Sequence, residues 1–366
     1  MSVSTPIQWT DDSVNPVMGC SAPCELRPTP AQAREIASKF FVPLFPDADP
    51  EKITALVKDE LGSHNATEIY QLRDCTVEAI FKALRARRAK DMRQAKIAYK
   101  AALDEKYICY AHWLHIVRGT DITFPDKIIN QGFALQFEVL KKFPGRMAKA
   151  AMSPDLCLKP RRKKPWLNYL PRTFFVSDMA DALSEEIDFV YLKQEIIDVA
   201  SSARGRQHLW FWLTKMPYRM AEFATWLKGM NLSWPDNLVA MTSISSRKTV
   251  VRARQLLAVP ARLRGLSVEP LWEDVTLPLE KIDWCIVGGQ SGPGSKPFDV
   301  AWIRSLRTQC QESKTALFVK QLGKNPMSEN KPLALKDVHG GNWLEWPAEF
   351  RIRDVPPGFH TLRKLA

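Results

Sequence analysis

Six short runs of apolar, β-branched and aromatic residues constrain the fold most, because each closes on a polar cluster and is followed by a helix-period segment. They are Thr173–Val176 before Ser177 and Asp178, Leu209–Leu213 before Thr214 and Lys215, and Leu238–Met241 before Thr242 and Ser243. Arg264–Leu266 leads to Ser267 and Glu269, Trp284–Val287 to Gly288, Gly289 and Gln290, and Leu317–Val319 to Lys320 and Gln321. Strands buried on both faces read as continuous apolar letters, so the pattern predicts βαβ repetition around a parallel sheet. Two closures are compatible with it, a (β/α) barrel and a doubly wound open sheet. In both, the polar residues beyond the strands collect at one end, where α/β folds place their chemistry.

The 366 residues suffice for one large domain or two small ones. Fifty-two Lys and Arg against 40 Asp and Glu give a net charge of +12, which favours a phosphate-bearing partner and makes nucleic acid the first expectation. The opening MSVSTPIQWTDD lacks the basic and apolar regions of a secretion signal, and no apolar run is long enough to span a bilayer. The expectation is a cytoplasmic protein with no membrane partner, its seven cysteines reduced or metal-bound.

Residues 28–106 read differently, as helices over Ala31–Phe40, Pro50–Leu61 and Thr67–Lys106, and look inserted. Between Lys82 and Lys100 the only acid is Asp91, so Arg85, Arg87, Arg88 and Arg93 form a largely uncompensated basic face suited to phosphates, although a solvated face explains it too. Arg161, Arg162, Lys163 and Lys164, followed by Trp166 and Tyr169, add charge beside rings that stack on bases. Both clusters are expected to surround the mouth of the sheet.

Cys20 and Cys24 lie in a loop broken by Pro16, Gly19 and Pro23, after a strand-like piece Ile7–Trp9. Cys109 follows the helical region. Three thiolates suit an iron–sulfur cluster, while adding His112 makes a Cys₃His zinc set. Cys75, Cys157, Cys285 and Cys310 read as small buried hydrophobes.

The segments IQWTDDSVNPVMGC, CYA at 109–111, LWFWLTKMPYRM, LSVEPL, IDWCIVGGQSGPGSKPFDVAWIRSLRTQC and FVKQLG resemble the successive signatures of a phage-associated and bacterial three-cysteine family of unknown function. That family in turn resembles radical S-adenosylmethionine (SAM) enzymes with a barrel similar to that of spore photoproduct lyase. The resemblance implies a partial (β/α) TIM-type barrel over residues 1–27 and 107–323, with a helical insertion at 28–106 and an extension at 324–366. It implies a 4Fe–4S cluster on Cys20, Cys24 and Cys109. Arg27 stands where the regular motif has its third cysteine, and Cys109 takes that role. It further implies SAM as cofactor, an electron donor such as a flavodoxin or ferredoxin, and reductive cleavage of SAM to modify or repair a substrate, here nucleic acid. A protein or small-molecule substrate, or a silent zinc-stapled nucleic-acid binder, are the alternatives.

On that reading Ser177, Asp178, Thr214, Lys215, Ser243, Ser245, Gly288, Gly289 and Gln290 are the cofactor contacts, with Asp178 facing the SAM ammonium. Helix capping is the plainer account of several, Asp178 heading a helix around Ala180–Tyr191. Glu269, its backbone restricted by Pro270, and Lys320 are the candidate catalytic pair, and a salt bridge between them is the plainer account. The loop Gly288–Gly294 could cradle a phosphate or base, or be only a tight turn.

Overall fold

Each of the six apolar runs forms a strand and extends further than its letters suggest. The computed structural model describes residues 3–4, 7–20, 111, 132–134, 137, 139–291 and 295–361, which fall into two units, one drawn from residues 1–16 and 143–366 and the other from 17–142. In chain order the strands are β1 (Val3–Ser4), β2 (Asp12–Val14), β3 (Val17–Met18), β4 (Lys141–Lys142), β5 (Arg172–Val176), β6 (His208–Thr214) and β7 (Leu238–Ser243). There follow β8 (Arg264–Val268), β9 (Trp284–Gly288), β10 (Phe298–Asp299), β11 (Ala316–Gln321), β12 (Pro326–Ser328) and β13 (Lys331–Pro332). The α-helices are α1 (Arg146–Ala151), α2 (Phe189–Leu192), α3 (Asp198–Ser201), α4 (Pro217–Gly229), α5 (Val251–Leu256), α6 (Ala301–Ser313) and α7 (Gly358–Thr361).

The main sheet runs β1-β2-β5-β6-β7-β8-β9-β11. Its seven strands from β2 to β11 are parallel and curl into a half-barrel, with β1 antiparallel at one edge. The curl follows from what one face packs on. Trp9 lies 4.7 Å from the Phe175 ring of β5, 5.7 Å from Phe211 of β6 and 6.0 Å from Trp284 of β9, and only a concave surface brings rings from such separated strands onto one side chain. Phe175, Leu209, Phe211, Val239, Met241, Trp284, Ile286 and Phe318, at alternate positions along their strands, share this core with Trp9, Leu167, Leu170, Leu263 and Phe359. The opposite face carries Trp212, which meets Phe223 of α4 edge-on at 5.8 Å.

The segment after β11 closes two openings. Arg353 bridges Phe318, with Val319 N donating to Ile352 O (2.8 Å) and Asp354 N to Leu317 O (3.0 Å), so the free edge of β11 is paired. Phe359 of α7 enters the barrel floor, 5.3 Å from Phe211 and 5.2 Å from Trp284.

Two local expectations are corrected. Ile7–Trp9 alternates like a strand but turns, because Trp9 is drawn into the floor; the first parallel strand is the polar Asp12–Val14, fixed by an Asp12–Arg172 ion pair of 2.5 Å. No helix spans Ala180–Tyr191. The Asp181 carboxylate and carbonyl take up Leu183 N, Ser184 N and Ser184 Oγ, which holds this stretch in turns, and α2 begins only after Asp188 caps it at Tyr191 N (2.7 Å).

Candidate functional site

Side-chain alternation carries the concave face from its aromatic floor to a polar rim. Two residues beyond Phe175, Met241, Ile286 and Phe318 stand Ser177, Ser243, Gly288 and Lys320, and Glu269 follows Ser267 on β8. These positions lie at the C-terminal strand ends, where the apolar letters give out.

At the ends of β2 and β5, Ser177 adopts a left-handed conformation (φ 69°), which a non-glycine residue rarely takes. Its backbone N–H donates to Val14 O (2.9 Å), yet its buried Oγ has no hydrogen-bond partner. Asp178 beside it accepts from Asn15 Nδ2, and Asn15 Oδ1 in turn accepts from Met179 N (2.9 Å). Burial pushes the Asp178 carboxyl above its ordinary range, while hydrogen bonds from the Asn15 and Ser13 side chains pull it back. Because α2 starts eleven residues later, Asp178 caps no helix.

Thr214 and Lys215 are organised by a residue that the letters do not reveal, Asp181. Its carboxylate accepts from Thr214 Oγ1 (2.9 Å to each oxygen), Lys215 N (2.8 Å) and Leu183 N (3.1 Å). Burial raises the Asp181 pKa, and these donors lower it. Thr214 Oγ1 also accepts from Met216 N, so the expectation that this hydroxyl faces a cofactor is corrected: it is engaged on the helix-facing side of the sheet. Ser243 and Ser245 are buried at the end of β7, where Ser243 O accepts from Arg252 Nη1 (3.2 Å) and Ser245 O from Trp272 N (3.0 Å). The helical turn that follows is capped by Ser246, not by either of these serines.

Glu269 and Lys320 meet. Lys320 Nζ donates to both carboxylate oxygens (2.6 and 2.8 Å), and Gln321 Nε2 donates to Oε1 (2.9 Å) and to Gly289 O (2.9 Å). The Glu269–Pro270 peptide is cis. The glycines here serve close chain crossing: a Cβ on Gly289 would stand 2.3 Å from Leu322 O, and one on Gly288 3.3 Å from Gln321 and Glu269 atoms. At Gly289 the space that a Cβ would need is filled by backbone, and Gly292–Gly294 of the loop read as a ligand cradle lie outside the described residues. Gln290 is buried, its Oε1 accepting from Trp272 Nε1 (3.4 Å) and Lys296 N (3.5 Å).

Of the three cysteines expected to hold a cluster, Cys20 is half-buried, with its N–H donating to Phe137 O (2.6 Å). The preceding Gly19 has φ 81° and faces Val139 O so closely that a Cβ would lie 2.2 Å away. Cys24, Cys109, His112 and the region 28–106 with Arg85, Arg87, Arg88 and Arg93 lie outside the described residues. Cys157, Cys285 and Cys310 are buried.

The second basic cluster is corrected in part. Arg161 is buried: its guanidinium pairs with Asp11 (2.7 and 3.0 Å) and donates to the carbonyls of Leu167, Leu170 and Pro171. Lys164 Nζ donates to Ile7 O (2.7 Å) and Thr10 O, and burial lowers its pKa to about 8. Neither presents its charge to a phosphate. Arg162 and Lys163 are exposed, but the loop leads into the start of β5 beside Asp11 and Thr10, so it stands at the N-terminal strand ends, opposite the polar rim.

No helix among the described residues is long and apolar enough to cross a membrane. A family model described as a protein of unknown function (DUF5131) matches residues 107–347. No curated protein and no solved structure matches the chain.

Proposed function

The chain belongs to the DUF5131 family, and from the polar rim of its half-barrel we propose that it is a radical SAM enzyme acting on nucleic acid. Cys20, Cys24 and Cys109 hold a 4Fe–4S cluster on this reading, with a flavodoxin or ferredoxin as electron donor in the cytoplasm. The observation that carries it is the buried, unpartnered Ser177 hydroxyl on a left-handed turn beside Asp178: strained backbone and an orphaned polar atom at a strand end mark a place kept for a ligand. A cluster with three protein thiolates supplies, when bound, one electron to the sulfonium of SAM for reductive cleavage.

The chain's own residues bind and orient. Asn15 holds the Asp178 carboxylate, which would accept from the ammonium of a bound cofactor, and that positive charge would favour the ionised carboxylate against the burial that opposes it. Ser177 Oγ supplies a further donor. Lys320 directs its N–H groups to both Glu269 oxygens and, with three donors, keeps one for a substrate oxygen. Glu269 in turn holds the ammonium at the rim.

Iron and sulfide analysis after anaerobic reconstitution tests the ligand set. Cys20→Ala, Cys24→Ala and Cys109→Ala proteins should each lose the cluster, whereas Cys157→Ala should keep it. Full iron loading in any of the first three contradicts the assignment, and tightly bound zinc that also depends on His112 favours a silent zinc-stapled protein.

A further inference from the structure

Trp272 is a partly exposed ring at the C-terminal ends of β7, β8 and β9, fixed from three sides. Its backbone N–H donates to Ser245 O (3.0 Å), Leu271 N donates to Gly288 O (3.0 Å), and its Nε1 donates to Gln290 Oε1 (3.4 Å). The Lys296 ammonium stands 4.0 Å over the ring. Lys296 is exposed and makes no ion pair among the described residues, whereas Lys320 nearby is matched by Glu269. This sector of the rim therefore combines a rigid aromatic face with one unmatched cation, while the sector at β2 and β5 carries the carboxylate of Asp178. A ligand that fits the first is a flat ring bearing an anion.

We propose that Trp272 and Lys296 form a nucleotide subsite of the substrate, Trp272 stacking one base and Lys296 leaving the ring face to take its phosphate. The proposal rests on the reading of the substrate as nucleic acid and moves the phosphate contact from the Arg161–Lys164 loop to the rim itself. The exchange is chemically balanced, since an exposed cation–π contact is replaced by a base on the ring and an ion pair on the ammonium. Stacking on an aromatic side chain tolerates any base, so the subsite selects a loosened or single-stranded nucleotide over a paired one.

The test is calorimetric titration of the full chain, without iron or SAM, with 5′-phosphorylated pentathymidylate. The parent should bind it, thymidine and inorganic phosphate should each bind far more weakly, and Trp272→Leu should lower affinity about tenfold while Trp272→Phe retains most of it. Lys296→Gln should flatten the log–log salt dependence by roughly 0.7. A protein carrying Arg162→Gln and Lys163→Gln, at the opposite strand ends, should bind as the parent does. The proposal is overturned if the parent does not bind, if Trp272→Leu binds unchanged, if only the Arg162 and Lys163 variant loses binding, or if SAM displaces the oligonucleotide and so claims the ring as its own. Because no cluster takes part, Trp272-dependent binding by a protein that never cleaves SAM would sink the radical reading and leave this subsite standing.

Discussion

Gly289 and Lys164 show how closely single positions are determined. A methyl group at Gly289 would collide with the Leu322 carbonyl and press on Phe298, neither of which is the loose end of a side chain. Gly289→Ala should therefore destabilise the protein by about 2 kcal/mol or more in urea unfolding, and a variant as stable as the parent would mean that the two chains do not cross so closely. Lys164 offers a test in pH. Burial lowers its pKa from 10.5 to about 8, with Asp11 and Asp12 drawing it up and Arg161 pushing it down. Between those two values the folded state binds fewer protons than the unfolded one, so this group makes stability rise as pH climbs from about 8 to 10.5. Lys164→Met should remove that rise, and an unchanged slope would show the ammonium to be solvated. At this scale the letters reveal Glu269 and Lys320, because a carboxylate and a lysine ending apolar strands have few other places to go. They conceal Asp181, whose partners Thr214 and Lys215 lie more than thirty residues away, and they conceal Trp272, which gains meaning only from the strand ends it joins.

Among the elements, the six apolar strands were legible because burial on both faces leaves an unbroken apolar signature. β2 was not, since Asp12-Ser13-Val14 owes its place to the ion pair with Arg172 and to pairing with β5 rather than to propensity. The basic cluster at 161–164 misled for the same reason: charge in a sequence reads as exposed surface, but Asp11 and a group of carbonyls turn Arg161 inward. The role of α7 was equally hidden, because a single Phe in a Pro-rich tail announces no destination. Yet Phe359 touches Phe211 and Trp284 in the floor with no exposed surface of its own. Phe359→Ala should cost about 3–5 kcal/mol, read as a lower denaturant midpoint. A loss below 1 kcal/mol would show that the tail merely rests on the barrel.

For the molecule as a whole, the half-barrel has an aromatic floor at one end of its strands and a polar rim at the other. Trp9, Phe211, Trp284 and Phe359 belong to the first end, and Asp178, Ser177, Trp272, Glu269 and Lys320 to the second. The net charge of +12 does not by itself say where a polyanion binds: Arg162 and Lys163 are exposed at one end of the strands, and Lys296 and Lys320 stand at the other. The central claim is that the rim serves radical chemistry, and it is met most directly by one measurement: 5′-deoxyadenosine formed from SAM by anaerobically reconstituted, dithionite-reduced protein, with and without single-stranded oligonucleotide, beside the Cys20→Ala protein treated identically. The account predicts that the parent accumulates 5′-deoxyadenosine and the Cys20→Ala protein does not. A parent that binds SAM yet yields no more product than that variant, oligonucleotide present or absent, would contradict it.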